Sequence, residues 1–104
     1  MNKIAIGTVQ FGLDYGISNK NGKISHSEIL NILDFAHLQG INIIDTAHAY
    51  GDSEKILGEL IQKDQHFKVV TKLSAKATKV NVEREFEQSL ARLGMPSVYG
   101  YMLH

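Results

Sequence analysis

The chain has 104 residues, 43% of them hydrophobic, and eleven lysines and arginines balance eleven aspartates and glutamates. That length allows one domain with a modest core, and the neutral balance gives no electrostatic footprint for nucleic acid or for an anionic membrane, which leaves a small molecule or a protein as the expected partner. With no cysteine, disulfides and thiolate metal sites are excluded; no apolar run reaches the length of a secretory signal or a membrane span, so a cytoplasmic location is the default expectation.

Lys3 to Gly7 is predicted as a first strand, followed by Gly7-Thr8-Val9-Gln10-Phe11-Gly12, where glycines let the backbone turn tightly or approach a ligand. The connection from Asp14 to Lys23 is rich in Gly, Asn and Lys, and Asn21-Gly22 is a turn signal able to close a small hairpin. A connection this long is uncommon unless it covers a binding site. Ser25-His26-Ser27-Glu28 is a capping-box pattern, flanked by Ile24 and Ile29 as a hydrophobic staple, so a helix is expected to begin there. Ile29, Ile32, Leu33 and Ala36 repeat at helical spacing, and Gly40 stands where a left-handed C-cap is expected.

The central stretch is Ile41-Asn42-Ile43-Ile44-Asp45-Thr46-Ala47-His48-Ala49-Tyr50-Gly51-Asp52-Ser53-Glu54. Its branched apolar start predicts a parallel strand covered on both faces, with Asp45 emerging at the tip and Tyr50 facing it from the following loop. Asp52 or Ser53 can cap a second helix, with Ile56, Leu57, Leu60 and Ile61 as its buried stripe and Gly58 permitting close packing. After the polar link Asp64-Gln65-His66, Phe67 to Leu73 is predicted as a third strand with Lys72 near its C-terminal end. Val82, Phe86, Leu90 and Leu93 mark a third helix, stopped by Gly94 and Pro96, and Val98 to His104 is a fourth strand. The resulting order β-α-β-α-β-α-β predicts an α/β fold of parallel (β/α) units, since right-handed βαβ crossovers are the common way to join such elements.

Three predicted strands therefore end in a titratable residue, Asp45, Lys72 and His104, and Tyr50 adds a fourth from the second loop. Together with Asp45-Thr46-Ala47, Tyr50-Gly51, Ser53-Glu54 and Ser89-Leu90-Ala91-Arg92-Leu93-Gly94, these positions resemble the aldo-keto reductases, NAD(P)H-dependent carbonyl reductases built on a (β/α)8 barrel. A complete barrel of that kind takes about 250 residues, so the resemblance implies that residues 1–104 are the first half of a TIM-type barrel, with the C-terminal half absent. It also implies a catalytic tetrad of Asp45, Tyr50, Lys72 and His104. Tyr50 would be the general acid in reduction and the general base in the reverse oxidation, Asp45 would hold Lys72, and His104 would orient the substrate carbonyl.

The chemistry is coherent with that set. A developing alkoxide needs a proton; a phenol ordinarily ionises near pH 10, and a neighbouring ammonium favours its anion. The resemblance further implies cofactor contacts from Gly7, Thr8 and Asp45, with NADP the commoner family cofactor and NAD open. His48, between Asp45 and Tyr50, is expected to touch substrate along with His104. Zinc held by Asp45, His48, Glu54 and His104 is the competing use of the same groups, but no paired-histidine motif supports a metal, and Glu54 fits the first turn of a helix, where the dipole favours it. The segment Thr8 to Ile17 is similar to a bacterial branch of the family associated with sugar and cell-surface polysaccharide functions, which implies a sugar-like carbonyl substrate. An alternative of a different class is an inert half-barrel that forms homo-oligomers through open sheet edges.

Overall fold

The computed structural model describes residues 4–13, 24–61, 65–76 and 78–103. Short β-branched and small apolar runs form four strands: β1 (Ala5–Gly7), β2 (Ile43–Asp45), β3 (Lys68–Lys72) and β4 (Gly100–Met102). They make one parallel sheet in chain order, with Gly7 opposite Asp45, Asp45 opposite Val70 and Lys72 opposite Met102. A doubly wound sheet reverses its strand order at a switch point. This one does not, and the progression matches one wall of a (β/α)8 barrel.

Among the described residues four helices accompany the strands: α1 (Val9–Gly12), α2 (His26–Leu38), α3 (Ser53–Leu60) and α4 (Val82–Leu93). The side chain of Ser25 accepts a hydrogen bond from the Glu28 N–H at 3.3 Å, so the expected cap starts α2 in place. Ile29, Leu33 and Ala36 are buried from that helix, and Gly40 takes the left-handed conformation just past its end. The core lies between helices and sheet, built chiefly from Phe11, Ile29, Leu33, Ile44, Leu57, Val69 and Leu93. Side chains alternate across the strands, so Ile44, Val69 and Thr71 are buried while Asp45, Val70 and Lys72 on the opposite face are only half-buried. The two-sided cover expected of β2 is thus one-sided among the described residues. In a closed barrel the second face is filled by side chains of the other strands.

Three local expectations change. Residues 9–12, read as a glycine turn, form the short α1. Asp52 occupies the N-cap position of α3, yet no side-chain hydrogen bond caps that helix, and the hydroxyl of Ser53, the other expected cap, is drawn inward to other partners. In the link before β3, Gln65 is buried and donates to Asp34 Oδ1 at 2.7 Å, which ties the link to α2. The connection Asp14 to Lys23 with its expected hairpin, Asp64 and His104 lie outside the described residues.

The buried line of α4 is Glu85, Ser89 and Leu93; of the apolar stripe expected from Val82, Phe86, Leu90 and Leu93, Leu93 is buried as expected, while the other three lie one residue round from that line and are half-buried. Polar bonding explains the rotation. Glu85 accepts the Ser74 backbone N–H at 3.0 Å and the Ser74 hydroxyl at 2.9 Å, closing the loop after β3, while Phe86 turns to the Tyr101 ring, 4.7 Å away between centroids. Chiefly through the Ser74 N–H, and with help from the Ser74 hydroxyl, His48 and Arg92 against the opposing effect of burial, the Glu85 carboxyl is held below its ordinary value of 4.5. A carboxyl with a lowered folded-state value stabilises the fold above its ordinary value and loses that contribution as pH falls through the folded-state value. Glu85→Gln is therefore expected to cost about 1 kcal/mol near pH 7, and the gap between variant and parent should close as the pH drops below the ordinary carboxyl value of 4.5, as measured by urea unfolding at both ends. A gap that does not change with pH would remove the carboxylate from this account.

Candidate active site

At the C-terminal ends of β2 and β3, Asp45 and Lys72 face each other across adjacent strands. Lys72 Nζ donates to Asp45 Oδ1 at 2.8 Å and to the Thr46 carbonyl at 3.0 Å. Its side chain is 15% exposed and that of Asp45 38%, so the pair sits at the mouth of the sheet. The same ammonium stands 5.1 Å from the centre of the Tyr50 ring, within cation–π range. Asp45, Lys72 and Tyr50, from two strand ends and one loop, thus form a single cluster.

The loop carrying Tyr50 is held from several sides. Its backbone is pinned by His48 N–H to the Lys72 carbonyl, Tyr50 N–H to the Ala47 carbonyl and Ser53 N–H to the Tyr50 carbonyl, at 3.0–3.1 Å. Beneath it lies a buried hydroxyl chain. Thr8 Oγ1 donates to the Asp45 carbonyl at 2.9 Å, Ser53 Oγ donates to Thr8 Oγ1 at 2.8 Å, and Thr46 Oγ1 lies 2.9 Å from Ser53 Oγ. Each hydroxyl has one hydrogen, so the chain has one direction: Thr46 to Ser53 to Thr8 to the Asp45 carbonyl. Thr8, Thr46 and Ser53 are fully buried, and they lock β1, β2 and α3 together at the base of the site. Gly12 packs backbone to backbone against the same loop, close enough that a Cβ there would stand 2.0 Å from the Tyr50 carbonyl oxygen.

A second network lies behind the loop. Glu54 is buried; its Oε2 accepts from the Thr71 hydroxyl at 2.6 Å and its Oε1 from Arg92 Nη1 at 3.3 Å. Arg92 Nη1 is also 3.0 Å from His48 Nδ1. The approach of α3 to α4 that makes this reach possible depends on Gly58, where a Cβ would stand 2.2 Å from the Arg92 carbonyl oxygen. Nearby, burial first and then Glu85 and Glu54 push the Tyr101 phenol above its ordinary value.

The amino-acid sequence matches the model of the Aldo/keto reductase family over residues 3–104. The chain belongs to the aldo-keto reductase family. Solved structures agree with this placement. Two structures described as an aldo-keto reductase from Pseudomonas aeruginosa superpose with TM-scores of 0.80 and 0.81 at 33% and 31% identity, covering 96% of this chain and 41% and 40% of theirs. An aldo/keto reductase from Klebsiella pneumoniae, solved with NADP and acetate, superposes at TM-score 0.70 with 24% identity over 96% of this chain and 34% of that one, and speaks to the fold. The chain therefore spans about two-fifths of the length of the aldo-keto reductases it matches. No curated protein matches it.

As an aldo-keto reductase chain, it brings together three of the four residues expected to form a tetrad; His104 lies outside the described residues. Gly7 ends β1 beside Asp45, with nothing within 4 Å of where a Cβ would stand. Thr8 is adjacent, but its hydroxyl is turned into the protein. His48 sits at the rim of the cluster, engaged with Arg92. Among the described residues, no group of three or more His, Asp or Glu side chains is placed to hold a metal ion, and no helix is long and apolar enough to cross a membrane. The roles of Ser53 and Arg92 escaped the sequence analysis. Both stood in family-like motifs, but a serine next to an N-cap and an arginine in a helix's last turn each have an ordinary local explanation.

Proposed function

We propose that the protein carrying this chain is an NADP(H)-dependent oxidoreductase that interconverts an aldehyde or ketone and its alcohol, with Asp45, Tyr50, Lys72 and His104 as its catalytic residues. The observation that carries the proposal is the Lys72 ammonium, bound to Asp45 at 2.8 Å and 5.1 Å from the Tyr50 ring. Family membership supports it, as does the NADP bound to the Klebsiella relative.

When bound, the reduced nicotinamide supplies the hydride. Tyr50 gives its hydroxyl proton to the substrate oxygen as negative charge builds there, and takes it back in the oxidation direction. Lys72 stabilises the charge left on Tyr50, and Asp45 keeps the ammonium in place by charge and hydrogen bond. His104 orients the carbonyl by donating a hydrogen bond, and His48 contributes a second polar contact. For the cofactor, Gly7 and Asp45 fit: nothing lies within 4 Å of where a Cβ on Gly7 would stand, and Asp45 retains an exposed carboxylate edge. Thr8 contributes through the backbone it fixes, since its hydroxyl serves Asp45. A sugar-like carbonyl is the proposed substrate class.

The described residues offer four strands of a barrel, so a complete site draws on further strands. The test is a fluorescence titration of NADPH and then NADH, with mass measured by light scattering, on the 104-residue chain and on a longer protein that contains it. Saturable binding with NADPH preferred, followed by carbonyl-dependent oxidation in the longer protein, is the expected result. Absence of binding in both would overturn the proposal.

A second proposal concerns the chain by itself. β1 and β4 are edge strands of the described sheet, and Ile4, Tyr99, Met102 and Leu103 beside them are exposed. Sheet edges flanked by apolar side chains favour strand addition, so the isolated chain is expected to scatter as a dimer or larger species. A monomer at micromolar concentration would count against edge pairing.

A further inference from the structure

We propose that Arg92 is a positioning residue that fixes the hydrogen-bonding state of His48, making its imidazole a donor through Nε2–H at the rim of the site. The argument starts from donor and acceptor inventories. A guanidinium has N–H groups only and no acceptor. Arg92 Nη1 carries two hydrogens and has two neighbours, Glu54 Oε1 at 3.3 Å and His48 Nδ1 at 3.0 Å. One hydrogen serves each. His48 Nδ1 must then accept, and the neutral ring carries its proton on Nε2, across the ring from Arg92.

The clamp is built to hold. Glu54 is 1% exposed and is fixed on its other oxygen by the Thr71 hydroxyl at 2.6 Å, so the guanidinium docks on an anchored carboxylate. The His48 backbone N–H is tied to the Lys72 carbonyl at 3.1 Å, which sets the ring's stem relative to the strand that bears the catalytic ammonium. Arg92 in α4, Glu54 in α3 and Thr71 in β3 thereby communicate with a residue two positions before Tyr50. Beyond that contact the ring has a single N–H, suited to an oxygen acceptor such as a carbonyl or hydroxyl of the substrate. That substrate contact rests on the reductase proposal above; the tautomer does not.

The two parts are tested separately. Long-range nitrogen–proton NMR of the imidazole at pH above the titration of histidine reads the tautomer directly in the 104-residue chain. The expected result is an Nε2–H tautomer for His48. Removing Arg92 alone would strand the buried Glu54 charge and could unfold the chain, so the informative variant is Arg92→Met combined with Glu54→Gln, compared with Glu54→Gln alone. In the double variant His48 should relax to a mixture of tautomers, while the single variant keeps Nε2–H. An Nδ1–H tautomer in the parent, or no change in the double variant, would overturn the proposal. If the double variant does not fold, Arg92→Leu combined with Glu54→Gln replaces it with the same expected relaxation, and an unchanged tautomer there would overturn the proposal.

In the longer protein, the double variant and His48→Ala should each raise KM for the carbonyl substrate by about fivefold to tenfold, the weight of one lost hydrogen bond, with a smaller change in kcat and none in NADPH affinity. A pure loss of kcat would show that Arg92 acts by some other route. An Nε2–H tautomer in a protein with no carbonyl reductase activity would leave the Arg92 clamp standing and remove the reductase.

Discussion

Tyr50→Phe in a protein that contains this chain is expected to lower kcat for carbonyl reduction by about a hundredfold to ten-thousandfold, equivalent to roughly 3–5 kcal/mol, which is the usual weight of a positioned general acid. The substitution removes one oxygen and leaves the ring, so the cation–π contact with Lys72, 5.1 Å from the ring centre, survives. Lys72 also keeps Asp45 and the Thr46 carbonyl, and the loop keeps its backbone bonds to Ala47 and Lys72. None of these contacts uses the phenol oxygen. NADPH affinity is therefore expected to stay within about twofold of the parent, since the groups proposed to meet the cofactor are untouched. Stopped-flow turnover and a fluorescence titration together check this. Near-normal kcat with intact binding would take the proton transfer away from Tyr50 and leave the Lys72–Asp45 pair as an electrostatic feature only.

Gly12→Ala is expected to disturb the site from a position that touches no substrate. A Cβ on Gly12 would stand 2.0 Å from the Tyr50 carbonyl oxygen, 2.5 Å from the Ser53 backbone nitrogen and 2.9 Å from that of Asp52. All three are backbone atoms of the segment that carries Tyr50 into α3, so no flexible side chain can yield. Either α1 or the loop must shift, and overpacking of this kind costs about 2 kcal/mol or more, which for a chain of this size lowers Tm by roughly 10 °C. The same shift would pull Tyr50 from Lys72 and strain the hydroxyl chain through Ser53 and Thr8. Gly7→Ala is the comparison, because its Cβ would meet nothing within 4 Å and should change stability by less than about 0.5 kcal/mol. Calorimetry on the two variants checks the pair of expectations. Equal, small shifts in Tm would mean that the Gly12 approach to the loop is looser than its distances indicate.

Much of the architecture was legible before any coordinates. The capping pattern at Ser25, the apolar spacing of α2, the branched runs of β2 and β3 and the glycines at 40, 58 and 94 are local signals, each read from a few neighbouring residues, and each stands where it was expected. Strand ends carrying Asp45 and Lys72 were legible for the same reason. A parallel sheet in chain order brings its C-terminal ends to one side, and the register confirms that these two meet.

The less legible features all join side chains far apart in sequence. Glu85 displaces the apolar stripe of α4 because Ser74, eleven residues earlier, offers it two hydrogen bonds. Ser53 leaves its capping duty because Thr8, forty-five residues earlier, stands beside it in the core. Glu54, expected only to favour a helix dipole, is buried because Thr71 and Arg92 supply a hydroxyl and a cation. The sequence by itself determined the elements, their order and the residue types at the strand tips, since periodicity, caps and turn chemistry act within a few residues. Only the tertiary structure decided which polar groups are buried and whom they bond, because a buried donor or acceptor is tolerable only against a partner, and the chain's path through space selects that partner.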